Sequence, residues 1–348
     1  MDAEDEAPGW SALDEALFRL REREPDFQYA AQPRWAEGGD EPLDCINVWA
    51  VDGPPAHWHF VSYGLSELYE KETDEPDVSG FGFELTLRLR RGDEAEPPAW
   101  AVELLQNLAR YVFDTGNVFE AFHQFDLGGP IARGVDTRLE AVVFARDAEL
   151  APLPTPFGRV ELLQVVGVAA DEYDLLKDWG TEPFLQAFAE SEPMLVTDPQ
   201  RRSLLDEPER AAELRRRVVR DGSSLGGVFV AHARCKRGAT AGAIELELGA
   251  AAVDDLVRLV RGRTLYGREF FLKSDEALIW VRAEERATAE LDGETLELGL
   301  DRAAAEELAR TVKPARGTYQ LNALREFALR VVPSEIRDRD GKVVRVVG

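Results

Sequence analysis

The chain has 348 residues, enough for two domains with separate cores. It carries 66 acidic against 41 basic side chains, a net charge of −25, which repels nucleic acid and attracts basic proteins. Two cysteines, Cys45 and Cys235, are too few for a disulfide framework or a cysteine-rich zinc site, and no apolar run approaches the roughly 18 residues of a membrane span. The N-terminus, MDAEDEAPGW, lacks the basic-then-apolar layout of a signal peptide, so the expected location is the cytoplasm.

Leu13, Leu17 and Leu20 stand at helical spacing and predict an amphipathic helix over 10–24, stopped by Pro25. Residues 28–44 read as irregular, 45–51 as a strand, and Gly53-Pro54-Pro55 as a turn into a second strand, HWHFVSYG. From Phe81 to Leu89 alternation is strict. Phe81, Phe83, Leu85, Leu87 and Leu89 share one face, and Glu84, Thr86, Arg88 and Arg90 the other, which predicts one buried side and one facing water. Pro97-Pro98 then opens a helix whose apolar face is Ala101, Leu104, Leu105, Leu108, Ala109 and Val112, ended by Gly116-Asn117. A strand leading into a helix that packs on its apolar face is the seed of an α/β core.

Residues 118–136 read as irregular and 140–146 as a strand. Val160–Val168 is a nearly continuous apolar run, expected of a strand buried on both faces. Helices are predicted at 171–178, at 182–190 with Thr181 as cap, and at 208–221, with strands at 194–198 and 227–235. The small, polar stretch 236–242, KRGATAG, is the expected linker between a first domain, 1–235, and a second, 243–348. The second reads as strand 243–248, helix 250–261, strands 269–273 and 277–283, and a hairpin about Asp292-Gly293. Asp301 caps a helix through 312, 326–332 is a late strand, and RDRDGKVVRVVG is a further possible hairpin. The fold class is mixed α/β (α+β): two domains, each a mixed sheet packed with helices. Divided at 235, residues 1–235 hold a net −24 and residues 236–348 a net −1.

Chemistry-bearing patterns are few. His57 and His59 alternate on one strand and could approach a common metal, but only His123 and His232 remain as further imidazoles. Structural histidines are the preferred reading. No G-x-S-x-G elbow, phosphate loop or complete dinucleotide fingerprint is present, and among 66 acids no carboxylate pair stands out. The Arg215–Arg220 cluster reads as a solvated helix face. The expectation is a protein that is not an enzyme, with no catalytic residues, cofactor or metal, and with a protein as partner.

Three segments, HWHFVSYGLSELY, SGFGFELTLRLRR and PPAWAVELLQNLARYVFDTGN, resemble the Suppressor-of-fused family, and TPFGRVELLQVVGV, DGSSLGG and GRTLYGREFFLKS continue the likeness in order. The resemblance spans nearly the whole chain and implies both family domains. Animal members bind a short segment of Gli-type zinc-finger transcription factors as an added strand between the domains. Tyr111 matches a position used for that contact, with an aromatic packed at a helix end as an equal alternative. Where the family has an acidic contact twelve positions later, this chain has His123, and Asp126 is out of register. The resemblance therefore implies partner-binding residues Tyr111, Asp114, His123 and Asp126 in an inter-domain groove. Animal members also carry a long disordered insertion for which this chain has no room. Its compact form and arginine-rich usage resemble bacterial relatives, which are associated with polymorphic toxin systems as immunity proteins. The expected function is thus neutralisation of a basic toxin domain. The alternative is a regulatory scaffold that sequesters an endogenous protein such as a transcription factor by strand addition.

Overall fold

The first predicted helix is α1 (Pro8–Arg21) in the computed structural model, which describes residues 7–238, 242–337 and 342–348. Pro8 opens it and Glu22, in the left-handed region at φ 55°, ends it short of Pro25. Strands β1 (Phe27–Ala30), β2 (Cys45–Val51), β3 (His57–Tyr63) and β4 (Val78–Arg90) follow, each antiparallel to the one before. Then come α2 (Ala99–Thr115), β5 (Gln124–Asp126), β6 (Leu139–Arg146), β7 (Leu153–Thr155) and β8 (Gly158–Ala169). Gly116, at φ 71°, caps α2 as its sequence predicts. These strands form one mixed sheet in the order β1-β2-β3-β4-β8-β6-β5, with β7 paired to β8 and β8 parallel to β4. The strand expected at 194–198 reduces to a single bridge, Leu89 to Thr197.

The apolar face of α2 shares one core with Leu85, Leu87 and Leu89 of β4 and with Trp58 and Phe60 of β3. Across the sheet, Leu13 and Leu17 of α1 pack against Val61, Tyr63 and Leu162. With β4 in the middle of the sheet and both faces covered, the expectation of a water-facing side fails. Glu84, Thr86 and Arg88 are all 0% exposed. Alternation reports which residues share a face, and covering the second face falls to α1, far away in sequence.

Next follow α3 (Ala170–Trp179), α4 (Thr181–Ala189) and α5 (Pro208–Asp221). Thr181 is the first residue of α4 rather than its cap, and its hydroxyl has no hydrogen-bond partner among the described residues. The strand expected at 227–235 divides into β9 (Gly227–Phe229) and β10 (Ala233–Arg237). β10 pairs antiparallel with β11 (Ile244–Gly249), so the described residues on either side of the expected linker belong to one ladder. Gly-rich, small-residue composition suits a hairpin connection as well as a linker. Residues 239–241 lie outside the described residues. The chain parts instead within α3 and α5, giving one unit of Met1–Asp174 with Thr181–Ala211 and another of Leu175–Gly180 with Ala212–Gly348.

The second unit continues with α6 (Val253–Gly262), β12 (Phe270–Lys273), β13 (Leu278–Ala283), β14 (Thr288–Asp292), β15 (Thr295–Leu300) and α7 (Arg302–Thr311). It ends with β16 (Gly317–Leu321), β17 (Leu324–Val332), β18 (Ser334–Arg337) and β19 (Val343–Val347). Two mixed sheets, β10-β11-β17-β16 and β14-β15-β13-β12-β9, share one core that includes Leu256 and Leu308 of the helices. Asp292-Gly293 turns the β14–β15 hairpin as predicted. β18 pairs with β19, while the turn of that expected hairpin lies at 338–341, outside the described residues. Asp301 caps α7 by accepting the Ala304 N–H at 2.8 Å. Asp301→Ala is expected to lower stability by about 1 kcal/mol, read as a shift in the urea midpoint.

Divided where the units part, the charge is more polarised than the sequence boundary suggested. The first unit holds 43 acidic and 16 basic side chains, net −27, and the second 23 and 25, net +2. The arginines 215, 216, 217 and 220 of α5 belong to the second.

Candidate functional site

The predicted partner-binding residues cluster at one edge of the first unit's sheet. Tyr111, on the last turns of α2, is half-buried; its ring stacks on Phe119 at 5.5 Å and meets Phe125 edge-on at 4.9 Å. Phe119 in turn stacks on Phe144 of β6 at 4.1 Å, so this aromatic group ties helix to strand. The Tyr111 hydroxyl accepts from Asn117 Nδ2 at 3.2 Å. Helix-end packing therefore accounts for the ring, while its hydroxyl stays near the surface.

Phe125 is the middle residue of β5, the last strand of the sheet. Leu127 N–H donates to Glu140 O at 3.1 Å and Phe144 N–H to His123 O at 3.0 Å, so odd-numbered residues bond inward to β6. The antiparallel pattern then points the main-chain groups of Gln124 and Asp126 off the sheet. No strand among the described residues pairs that outer edge. His123 and Asp126 flank it, both exposed: His123 Nδ1 accepts the Glu120 N–H at 3.2 Å, and Asp126 Oδ1 accepts that of Gly128 at 2.9 Å. Asp114 is exposed on the last turn of α2, where the helix dipole disfavours negative charge. The fold thus brings Tyr111 against β5, with His123 and Asp126 at its two ends. Sequence reading missed Phe119, Phe125 and Gln124. Their signal was the density of aromatics in NVFEAFHQF, and Gln124 Oε1 is buried with no hydrogen-bond partner among the described residues.

His57 and His59 lie elsewhere, on the α1 side of β3. His59 is fully buried, and its Nδ1 accepts from the Arg21 guanidinium at 2.7 Å. That bond uses the ring's lone pair and leaves Nε2 as the protonated nitrogen, 4.0 Å from Asp147 Oδ2. Burial, with Arg88 and Arg21 nearby, holds this imidazole well below its ordinary range, hence neutral. His57 Nδ1 donates to the Pro55 carbonyl at 2.8 Å. The two histidines are thus held as members of a buried polar layer. At its centre, Arg88 grips Asp147 through two bonds of 2.7 and 2.9 Å, and also reaches Gln164 at 2.6 Å and Glu149 at 2.9 Å. Glu149 closes the circuit to Arg21 at 2.6 Å.

Comparison with known proteins places this architecture. A family model described as Suppressor of fused protein matches residues 39–202. The human Suppressor of fused homolog is 35% identical over 230 residues, which is 60% of this chain and 47% of that protein; the match spans about half of the curated relative's length. Drosophila Suppressor of Fused superposes with a TM-score of 0.76 at 21% identity, over 95% of this chain and 99% of that one. A chain of the Sufu–Fu complex crystal structure gives 0.55 at 28% identity, over 60% of this chain and 97% of that one. The class these comparisons define is a mixed α/β fold built from sheets packed with helices. Residues 39–202 match the Suppressor-of-fused family, and the chain shares the fold of Drosophila Suppressor of Fused.

Proposed function

We propose that this chain acts by binding another protein rather than by catalysis, taking an extended segment of its partner as an added strand on the outer edge of β5. The observation that carries this reading is the edge itself. Outward main-chain groups at Gln124 and Asp126 stand beside a rigid aromatic backing. A basic partner suits the first unit's net −27, which would speed encounter and slow it again as salt rises. In the finer form of the proposal that partner is the toxin domain of a bacterial polymorphic toxin system, with this chain its cytoplasmic immunity protein. A second reading, an endogenous regulator as partner, draws support from the matched chain of the Sufu–Fu complex.

The test is capture with the tagged full chain from its own host, alongside a Gln124→Pro variant. Proline at 124 removes an N–H that points off the sheet and leaves the β5–β6 bonds in place. A stoichiometric basic toxin domain, bound about tenfold more weakly by the variant at unchanged melting temperature, is the expected result. Equal affinity for both proteins would sink the edge reading. An endogenous regulator in place of the toxin domain would sink immunity and leave the second reading.

A further inference from the structure

We propose that the first unit carries a separate recognition site for an arginine side chain, in a cavity away from the β5 edge. The proposal rests on the reading of the partner as a basic protein and names how one of its side chains is held. The cavity, of about 300 Å³, lies between the 35–44 segment, the 64–73 segment and the start of β4. That volume is at the small end of ligand sites, which run from about 300 to 1,000 Å³. Its walls are aromatic. Phe113 meets Trp35 edge-on at 5.5 Å and Phe81 at 5.1 Å, and Tyr69 lines another side. Trp35 is 38% exposed, so its ring is open to a visitor.

Two carboxylates in the lining keep at least one oxygen without a donor among the described residues. Asp44 Oδ2 accepts the Tyr69 hydroxyl at 2.8 Å, but no described residue donates to Oδ1. Glu72 is exposed, and its carboxylate has no ion pair or hydrogen bond among the described residues. Glu67, by contrast, is spent on Lys71 at 2.8 Å and on the N–H groups of Glu72 and Thr73, each at 2.7 Å. The floor is pre-formed. Gly80, at φ 57°, lies so near Leu65 that an added Cβ would stand 2.6 Å from its carbonyl oxygen, and Phe81 N–H donates to that oxygen at 2.9 Å. The amides of Gly64, Leu65 and Ser66 are fixed by Glu84.

Aromatic faces beside such carboxylates select a cation. A guanidinium suits them better than an ammonium, because it is planar, stacks, and offers a fork of donors to a carboxylate. The chain's own Arg34 already does this outside the cavity: its guanidinium carbon is 4.7 Å from the Tyr69 ring centre, and Glu37 pairs with it at 2.7 Å. The surrounding net charge of −27 makes a basic segment the natural visitor.

The test is an NMR titration of the labelled full chain with N-acetyl-arginine amide, N-acetyl-lysine amide and N-acetyl-glutamine amide. The Trp35 indole and the amides of Ser66, Gly80 and Phe81 are the reporters. Saturable shifts with the arginine probe, about tenfold weaker with the other two and in Trp35→Ala and Glu72→Gln, are the expected result. Both variants are at exposed positions, and an unchanged melting temperature checks their fold. No saturable shift, an equal response to all three probes, or wild-type titration of both variants would overturn the proposal. The Gln124→Pro variant keeps these shifts if the cavity acts independently. Retained shifts with no captured partner would therefore defeat the strand-addition reading alone, and partner capture without arginine shifts would defeat the cavity alone.

Discussion

Arg88→Ala is expected to lower stability by about 3–5 kcal/mol, the cost of breaking a buried ion pair by removing one partner. Arg88 is fully buried in the central strand, and the layer it holds is balanced: Arg88 and Arg21 face Asp147 and Glu149. Without the guanidinium, Asp147 keeps the Thr86 hydroxyl at 2.6 Å and the N–H groups of Glu149 and Leu150 at 2.9 Å, but loses its counter-charge. In the native protein Arg88 outweighs burial and holds the Asp147 carboxyl well below 3.8. A depressed folded value means stability that is present above about pH 3.8 and is lost as pH falls through the lower, folded value. In the variant burial is opposed only by those three hydrogen bonds, and the carboxyl is expected to move up. The variant's deficit should therefore shrink from pH 7 to pH 4 as the carboxyl takes up a proton. Urea unfolding at several pH values reads both effects. A loss of under about 1 kcal/mol, as for an exposed pair, would mean that water reaches this layer.

This layer also marks where sequence reading stopped. Strands β2, β3, β4, β6 and β8 and helices α2, α5 and α7 were legible because local periodicity and caps determine them. So was the core face of β4, since Leu85, Leu87 and Leu89 have no polar competitor. The opposite face was not, because Arg88 finds Asp147 and Glu149 about sixty residues on, after a helix and two strands. Strand pairing decides that meeting, and pairing across such distances leaves no local trace. The same limit moved the domain boundary. KRGATAG has the composition of a linker, and only the β10–β11 ladder shows that the strands flanking it pair with each other. At the candidate site, Tyr111 and Asp126 could be named from family likeness. That β5 is the outermost strand, with Gln124 facing off the sheet, required the strand order.

Glu84→Ala should cost about 3 kcal/mol or more, because it orphans three main-chain donors at once. Glu84 Oε1 accepts the N–H groups of Gly64, Leu65 and Ser66 at 2.9, 3.1 and 2.9 Å and the Ser66 hydroxyl at 2.7 Å, and Oε2 accepts the Ser62 hydroxyl at 2.5 Å. These donors favour the ionised carboxylate, yet burial outweighs them and raises the group to about 7 from an ordinary 4.5. A folded value above the unfolded one means stability that is complete below pH 4.5 and is lost as pH rises through about 7. The loss is about 3 kcal/mol across that window. Glu84→Gln separates the two effects. It keeps a carbonyl oxygen for the three amides and cannot ionise, so it should be less stable than the native protein at pH 4.5 and should overtake it by pH 8. Crossing stability curves would assign that pH dependence to Glu84. Parallel curves would mean that the five donors hold the carboxylate ionised throughout, and that the loop at 64–66 is organised around a buried negative charge.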